Sequence, residues 1–138
     1  MEVRLGSLVR GAQEAQGTAI IIDVFRAFTT AAIAFDHGVK EITLVAEPEE
    51  ALELHRKGVG DFLMGEVAGK RPEGYDFGNS PYGICQFDLA GKTLVQSTRA
   101  GTVGVAAAVN ASGIYLGSFV VAQATAEAVK KDGPELVS

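Results

Sequence analysis

The sequence predicts an α/β fold of three layers, α/β/α, built on a mostly parallel sheet. Three observations carry this. Short apolar or β-branched runs at residues 18–23, 41–45, 61–64, 92–97 and 114–117 alternate with helical segments, the pattern of βαβ crossovers. The run from Ala19 to Ile22 shows no polar alternation, as in a strand covered on both faces of a parallel sheet. Glycine and proline fall at the joints between the runs, where turns need them. A length of 138 residues with 47% apolar and 21% charged residues suits a single domain, residues 1–138, with a core of its own.

Each element has a local cause. Val3 and Leu5 fit an edge strand, and residues 7–17 a connecting turn or short helix. Residues 18–23 form the first firm strand and run into a helix at 26–37, where Phe25, Phe28, Ala32 and Phe35 recur at helical spacing. Gly38 follows as a terminator. Glu41–Val45 is the second strand, and Pro48 opens a helix that Gly58 or Gly60 stops. After the strand at 61–64 the period is lost over residues 65–81. A loop of that length in a compact domain is functional or disordered, and its Tyr75 and Phe77 argue for order. Pro81 opens a short helix within 80–87. A strand at 92–97 leads through a tight turn at 98–102 to a helix at 103–110. The strand at 114–117 precedes Ser118, which suits the N-cap of a helix at 119–131. Lys130 and Lys131 match that helix's negative end, and Gly133-Pro134 breaks it. Residues 135–138 read as the start of one more strand. The chain is thus expected to be a shortened form of something longer, its open edge completed by a partner or a second copy.

Composition excludes several functions. A net charge of −5 with no basic cluster argues against nucleic acid. No apolar run approaches about 20 residues, so no membrane span is expected. A lone Cys85 cannot form an internal disulfide and fits a reducing, cytoplasmic setting; it reads as structural. His37 and His55 sit on helices away from the strand ends, which leaves no histidine base for a Ser-His-Asp hydrolase.

The polar groups that remain stand at the carboxyl ends of strands, where ligands bind in open α/β sheets. They are Asp23 with Arg26, Gly65-Glu66, and Ser97-Thr98-Arg99-Ala100-Gly101-Thr102. The last follows a strand and opens a helix, so it offers free N–H groups, hydroxyls on Ser97, Thr98 and Thr102, close approach at Gly101, and the Arg99 fork for a phosphate or sulfonate. The plainer reading is a strand–helix turn with a threonine cap. Asp23 and Glu66 are hard oxygen donors that suit Mg²⁺; equally, one can cap a helix and the other stand solvated in the loop. Asn79 and Ser80 belong to the long loop, which can fold over the rim.

These blocks, Asp23-Val24-Phe25-Arg26-Ala27-Phe28-Thr29-Thr30, Gly65-Glu66, Asp76-Phe77-Gly78-Asn79-Ser80-Pro81 and Ser97-Thr98-Arg99-Ala100-Gly101-Thr102, resemble in order the signature blocks of the 2-phosphosulfolactate phosphatases. Gly117-Ser118-Phe119-Val120 fits a fifth, with Val121 where an asparagine is associated with the pattern. The resemblance covers the N-terminal portion of that family's length and implies its own type of α/β fold. It implies a Mg²⁺-dependent hydrolase that takes phosphate from 2-phospho-3-sulfolactate, as in coenzyme M biosynthesis. In that picture Asp23 and Glu66 hold the metal, Arg26 and Arg99 stabilise the transferring group, and Asn79 and Ser80 donate hydrogen bonds from the loop. Asp23 as nucleophile and Asp23 as metal ligand both stay open. Two other readings compete: a non-catalytic phospho-ligand module left by truncation, and a structural subunit whose sheet a partner completes.

Overall fold

The computed structural model describes all residues, Met1–Ser138. In chain order the elements are β1 (Glu2–Val3), α1 (Leu8–Glu14), β2 (Gly17–Ile22), α2 (Ala27–Asp36), β3 (Glu41–Val45), α3 (Pro48–Arg56), β4 (Phe62–Gly65), α4 (Pro81–Ile84), β5 (Thr93–Ser97), α5 (Gly101–Ala107), β6 (Ala111–Gly117), a 3-10 turn (Phe119–Val121), α6 (Ala122–Asp132) and β7 (Leu136–Val137). Every strand pair is parallel, as the alternating pattern requires. The strands divide between two sheets, however, ordered β1-β7-β2-β6 and β3-β5-β4. The second is the better packed. On one of its faces α2 and α4 bury Ala34 and Ile84 with Met64, Phe77 and Leu94. On the other, α3 buries Ala51 with Leu63, Val95 and Tyr75. Leu94 and Val95 alternate between the two faces, as strand pleating dictates.

The first sheet is thinly covered, which corrects the reading of Ala19–Ile22 as buried on both faces. Ala19 is fully buried, yet Ile22 is 66% exposed. Ile20, Ile21 and Ile22 border an open cavity of about 600 Å³ between α1, β2 and α5. Helix α2 also turns differently from its apparent stripe. Its buried residues are Ala27, Phe28, Thr29, Thr30, Ala31 and Ala34, whereas Phe25 and Phe35 are exposed. Alanines let the helix axis approach the sheet, and Phe25 instead stacks on Phe119, ring centroids 6.2 Å apart.

Three boundaries differ from the sequence reading. Helix α5 starts at Gly101, which draws Gly101 and Thr102 into its first turn. Ser118 makes no side-chain cap; a 3-10 turn separates it from α6. The last strand is not an edge, since β7 lies between β1 and β2 and Ser138 continues the pairing through its N–H to Thr18 O at 2.9 Å. At the far end of α6, Gly133 has φ +63 and ends the helix in the left-handed conformation that glycine adopts without strain.

Asp61 ties the starts of β4 and β5 together. Its carboxylate accepts the Thr93 N–H at 2.8 Å and the Thr93 hydroxyl at 3.1 Å, and these bonds hold its pKa below the usual aspartate value. A carboxyl lowered on folding adds stability above its unfolded pKa and loses it as pH falls through the folded value. Asp61→Asn should therefore lower the melting temperature at about pH 7 and leave it unchanged near about pH 2, read from melts across that range.

Candidate active site

The register of the second sheet places the loop residues. Gly65 and Val45 both pair with Ser97, so Glu66 and Thr98 stand side by side just beyond the strand ends. The bridge Met64↔Phe77 is parallel, so Asn79 leaves that bridge in the same direction as Glu66, on the other side of β4 from Thr98. By alternation Thr98, Glu66 and Asn79 share the face of Leu94, Met64 and Phe77, the face that carries α2. Gln96 lies one step below them on that face and donates from Nε2 to the carbonyl of Ala27 at 3.0 Å. The first turn of α2 is thereby fixed above the ends of β4 and β5.

The first sheet brings its own polar groups to the same place. Ile22 pairs with Gly117 and the Asp23 N–H donates to Gly117 O at 2.9 Å, so Asp23 and Ser118 are neighbours at the ends of β2 and β6. The Asp23 carboxylate reaches across to α5: a Cβ placed on Gly101 would stand 3.0 Å from Asp23 Oδ2. The helix can come this close because residue 101 has no side chain. Burial raises the pKa of Asp23; the Ala27 and Gly101 N–H groups oppose that rise, and the nearby charge of Glu66 adds to it. Oδ1 of Asp23 is buried with no hydrogen-bond partner.

Glu66 links the loops. Its Oε1 accepts the Arg99 N–H at 3.0 Å and its Oε2 the Gly69 N–H at 2.7 Å. Arg99 and Asp23 border the same cavity, with Ala100 and Gly101 between them. The sequence-derived groups Asp23, Glu66, Arg99 and Gly101 therefore meet at one rim. Arg26, the residue before α2, is exposed and enters none of the ion pairs; it does not line the cavity that Asp23 and Arg99 border. Arg99 makes one long contact, Nη1 to Glu47 Oε2 at 3.9 Å; an exposed pair of this kind contributes little, so its fork is free for a ligand.

The hydroxyls of the 97–102 segment point inward instead. Thr98 and Thr102 bond to one another's backbones: Thr98 N–H donates to Thr102 Oγ1 at 2.8 Å, Thr102 N–H to Thr98 Oγ1 at 3.2 Å, and Thr102 Oγ1 to Thr98 O at 2.9 Å. This closed arrangement shapes the turn. Ser97 Oγ shares a 2.5 Å hydrogen bond with the Tyr75 hydroxyl, which also lies 3.3 Å from Pro48 O. Removing the phenol in Tyr75→Phe would leave the fully buried Ser97 hydroxyl without its partner, so the variant should lose about 2 kcal/mol. A shifted urea midpoint with an unchanged m-value would show it. Ser80 caps α4, its Oγ accepting the Gly83 N–H at 3.1 Å, which leaves its own proton for a further acceptor. Asn79 is buried with Oδ1 unpartnered.

Sequence alone gives no role to Gln96, and places Thr29 and Ser118 within motif blocks, Ser118 also as a cap, without a function of their own. All three are buried and carry an unpartnered oxygen. A glutamine inside the otherwise apolar strand Leu94-Val95-Gln96 was the legible sign, because a buried amide needs a reason. No group of three or more His, Cys, Asp or Glu side chains is gathered anywhere in the molecule. His37 and His55 end α2 and α3, and Cys85 Sγ donates to Pro81 O at 3.1 Å within its own helix. No helix is long and apolar enough to cross a membrane.

The family model for 2-phosphosulpholactate phosphatase matches residues 7–138. A probable 2-phosphosulfolactate phosphatase of Bacillus subtilis is 39% identical over 112 residues, covering 81% of this chain and 49% of the relative. One from Caldicellulosiruptor saccharolyticus is 39% identical over 114 residues, covering 83% and 47%. One from Clostridium acetobutylicum is 35% identical over 113 residues, covering 81% and 48%. The chain spans about half the length of the curated relatives it matches. The family match runs through all four motif blocks, and this chain belongs to the 2-phosphosulpholactate phosphatase family.

Proposed function

We propose that the rim formed by Asp23, Glu66 and Arg99, together with Arg26, binds a small phosphorylated acid and hydrolyses its phosphate ester, the substrate being 2-phospho-3-sulfolactate and the product 3-sulfolactate, as in coenzyme M biosynthesis. The observation that carries this reading is Asp23. Its carboxylate is partly buried beside a second carboxylate and has an oxygen without a partner, an arrangement that costs folding energy and is kept where chemistry needs it. The names of the curated relatives supply the substrate.

The substrate carries phosphate, sulfonate and carboxylate. Arg99 at the rim and Arg26 before α2 are free guanidinium groups, and each can grip two oxygens of a tetrahedral anion. They would hold the phosphoryl group and offset the charge that grows on it as the ester bond breaks. The two guanidiniums match the two carboxylates of the rim, so the local balance differs from the overall net charge of −5, and binding responds to the field inside the cleft. Ser80 retains a hydroxyl proton to donate to the bound acid.

The donor chemistry fits Mg²⁺. Every unpartnered side-chain atom here is oxygen, and Mg²⁺ takes one or two carboxylates with water and substrate oxygens. Asp23 would hold the ion; bound there, it would neutralise phosphoryl oxygens and lower the pKa of a water. The experiment is phosphate release from a panel of phospho-acids with and without Mg²⁺. Release selective for 2-phospho-3-sulfolactate and dependent on Mg²⁺ supports the reading. Tight binding of the same acid without any release supports a non-catalytic phospho-ligand module instead.

A further inference from the structure

We propose that the protein ligands of the divalent cation are Asp23 Oδ1 and the amide oxygens of Asn79 and Gln96, with Glu66 outside the ligand set. The proposal takes from the phosphatase reading only that a cation is bound at this rim.

Buried polar atoms almost always find a partner. Five side-chain atoms in this molecule do not: Asp23 Oδ1, Thr29 Oγ1, Asn79 Oδ1, Gln96 Oε1 and Ser118 Oγ. They are not scattered. Asp23 and Ser118 adjoin at the ends of β2 and β6. Thr29 belongs to the first turn of α2. Gln96 is tied to Ala27 in that same turn, and Asn79 leaves the Met64↔Phe77 bridge in the same direction as Glu66, whose charge Asp23 feels. Gln96 and Thr29 belong to or bond the first turn of α2, Asp23 and Ser118 stand at the neighbouring strand ends, and Asn79 follows the bridge that joins Phe77 to β4.

What they lack is a donor. Asp23 contributes a carboxylate oxygen. Gln96 has its orientation fixed, since Nε2 is spent on the Ala27 carbonyl, and so Oε1 can only accept. Asn79 leaves its carbonyl oxygen unmet. The two hydroxyls can serve either way. Three acceptor oxygens outnumber the two hydroxyls that could donate to them, an imbalance that a cation would settle, and carboxylate plus amide carbonyl oxygens are the donors that hard divalent ions take. Glu66 is the poorer ligand because each of its oxygens already receives a backbone N–H, from Arg99 and from Gly69. Its work is to join two loops.

The test is Mn²⁺ binding to the whole chain without substrate, followed by electron paramagnetic resonance and calorimetry, with circular dichroism to confirm folding. Wild type should bind one Mn²⁺. Asn79→Ala should weaken binding about 10-fold or more, and Asn79→Asp, which keeps the oxygen and adds charge, should bind at least as tightly as wild type. Glu66→Gln should stay within about 3-fold of wild type. Unchanged binding in Asn79→Ala, weaker binding in Asn79→Asp, loss of binding in Glu66→Gln, or no binding by wild type would each overturn the proposal. Should Asn79→Ala fail to fold, Asn79→Asp and Glu66→Gln still decide. A chain that binds Mn²⁺ in this way yet releases no phosphate upholds the ligand assignment and overturns the phosphatase reading.

Discussion

Gly65→Ala should unfold the protein or leave it barely stable, at a cost on the order of 4 kcal/mol. A Cβ at position 65 would overlap the carbonyl oxygen of Ser97 and approach Tyr75 Cε2 to 3.1 Å. Neither neighbour can yield. The Ser97 carbonyl is held by the Glu66 N–H at 3.1 Å, and Gly65 pairs with Ser97 in the ladder between β4 and β5. Tyr75 is buried against Val95 and Leu63. Relief must come from parting the β4 and β5 backbones, and a native domain has only about 5–15 kcal/mol to lose. Gly78→Ala is the control in the same loop: a Cβ there meets only Arg71 Cβ, at 3.7 Å, and its stability should change by less than about 0.5 kcal/mol. Thermal and urea melts of both variants check this. Equal melting temperatures for Gly65→Ala and wild type would show that the strand ends do not meet as described.

Asp23→Asn should reduce phosphate release by on the order of 10³-fold without weakening the fold. The charge is the functional part. Burial and the charge of Glu66 raise the carboxyl's pKa, which means the folded state disfavours the ionised form, so neutral asparagine should hold the melting temperature at about pH 7 or raise it. The two readouts together separate a chemical role from a structural one. Turnover like wild type would remove Asp23 from the mechanism; lost turnover with a collapsed melting temperature would make it a structural residue.

Local sequence was enough wherever one strong signal acted alone. Glu41–Val45 is a β-branched run closed by Glu47-Pro48, and its strand and the helix after it begin where those residues put them. Tyr75 and Phe77 ordered the long loop because each is buried in a core cluster. What could not be read locally depended on distant pairing. Nothing in residues 135–138 shows that they slot between β1 and β2, or that β2 and β5 belong to different sheets. Helix α2 defeated the hydrophobic pattern because Ala31 and Ala34 take the buried side and Phe25 and Phe35 face outward; size of contact, not hydropathy, decided its roll. At the site, Asp23, Glu66 and Arg99 were legible as polar residues following apolar strands. The inward turn of Thr98 and Thr102 was not, since a threonine that caps and one that binds a ligand look the same in a motif. Gln96 was visible all along as an amide in a buried strand.

The most direct measurement is the position of a phosphate mimic. Crystals of the chain soaked in tungstate give an anomalous signal that needs no assumption about turnover. The account predicts a peak within hydrogen-bonding reach of the Arg99 guanidinium, on the rim bounded by Asp23 and Glu66, and its disappearance in Arg99→Ala. A peak elsewhere on the molecule, or one at the rim that survives the loss of Arg99, would contradict it.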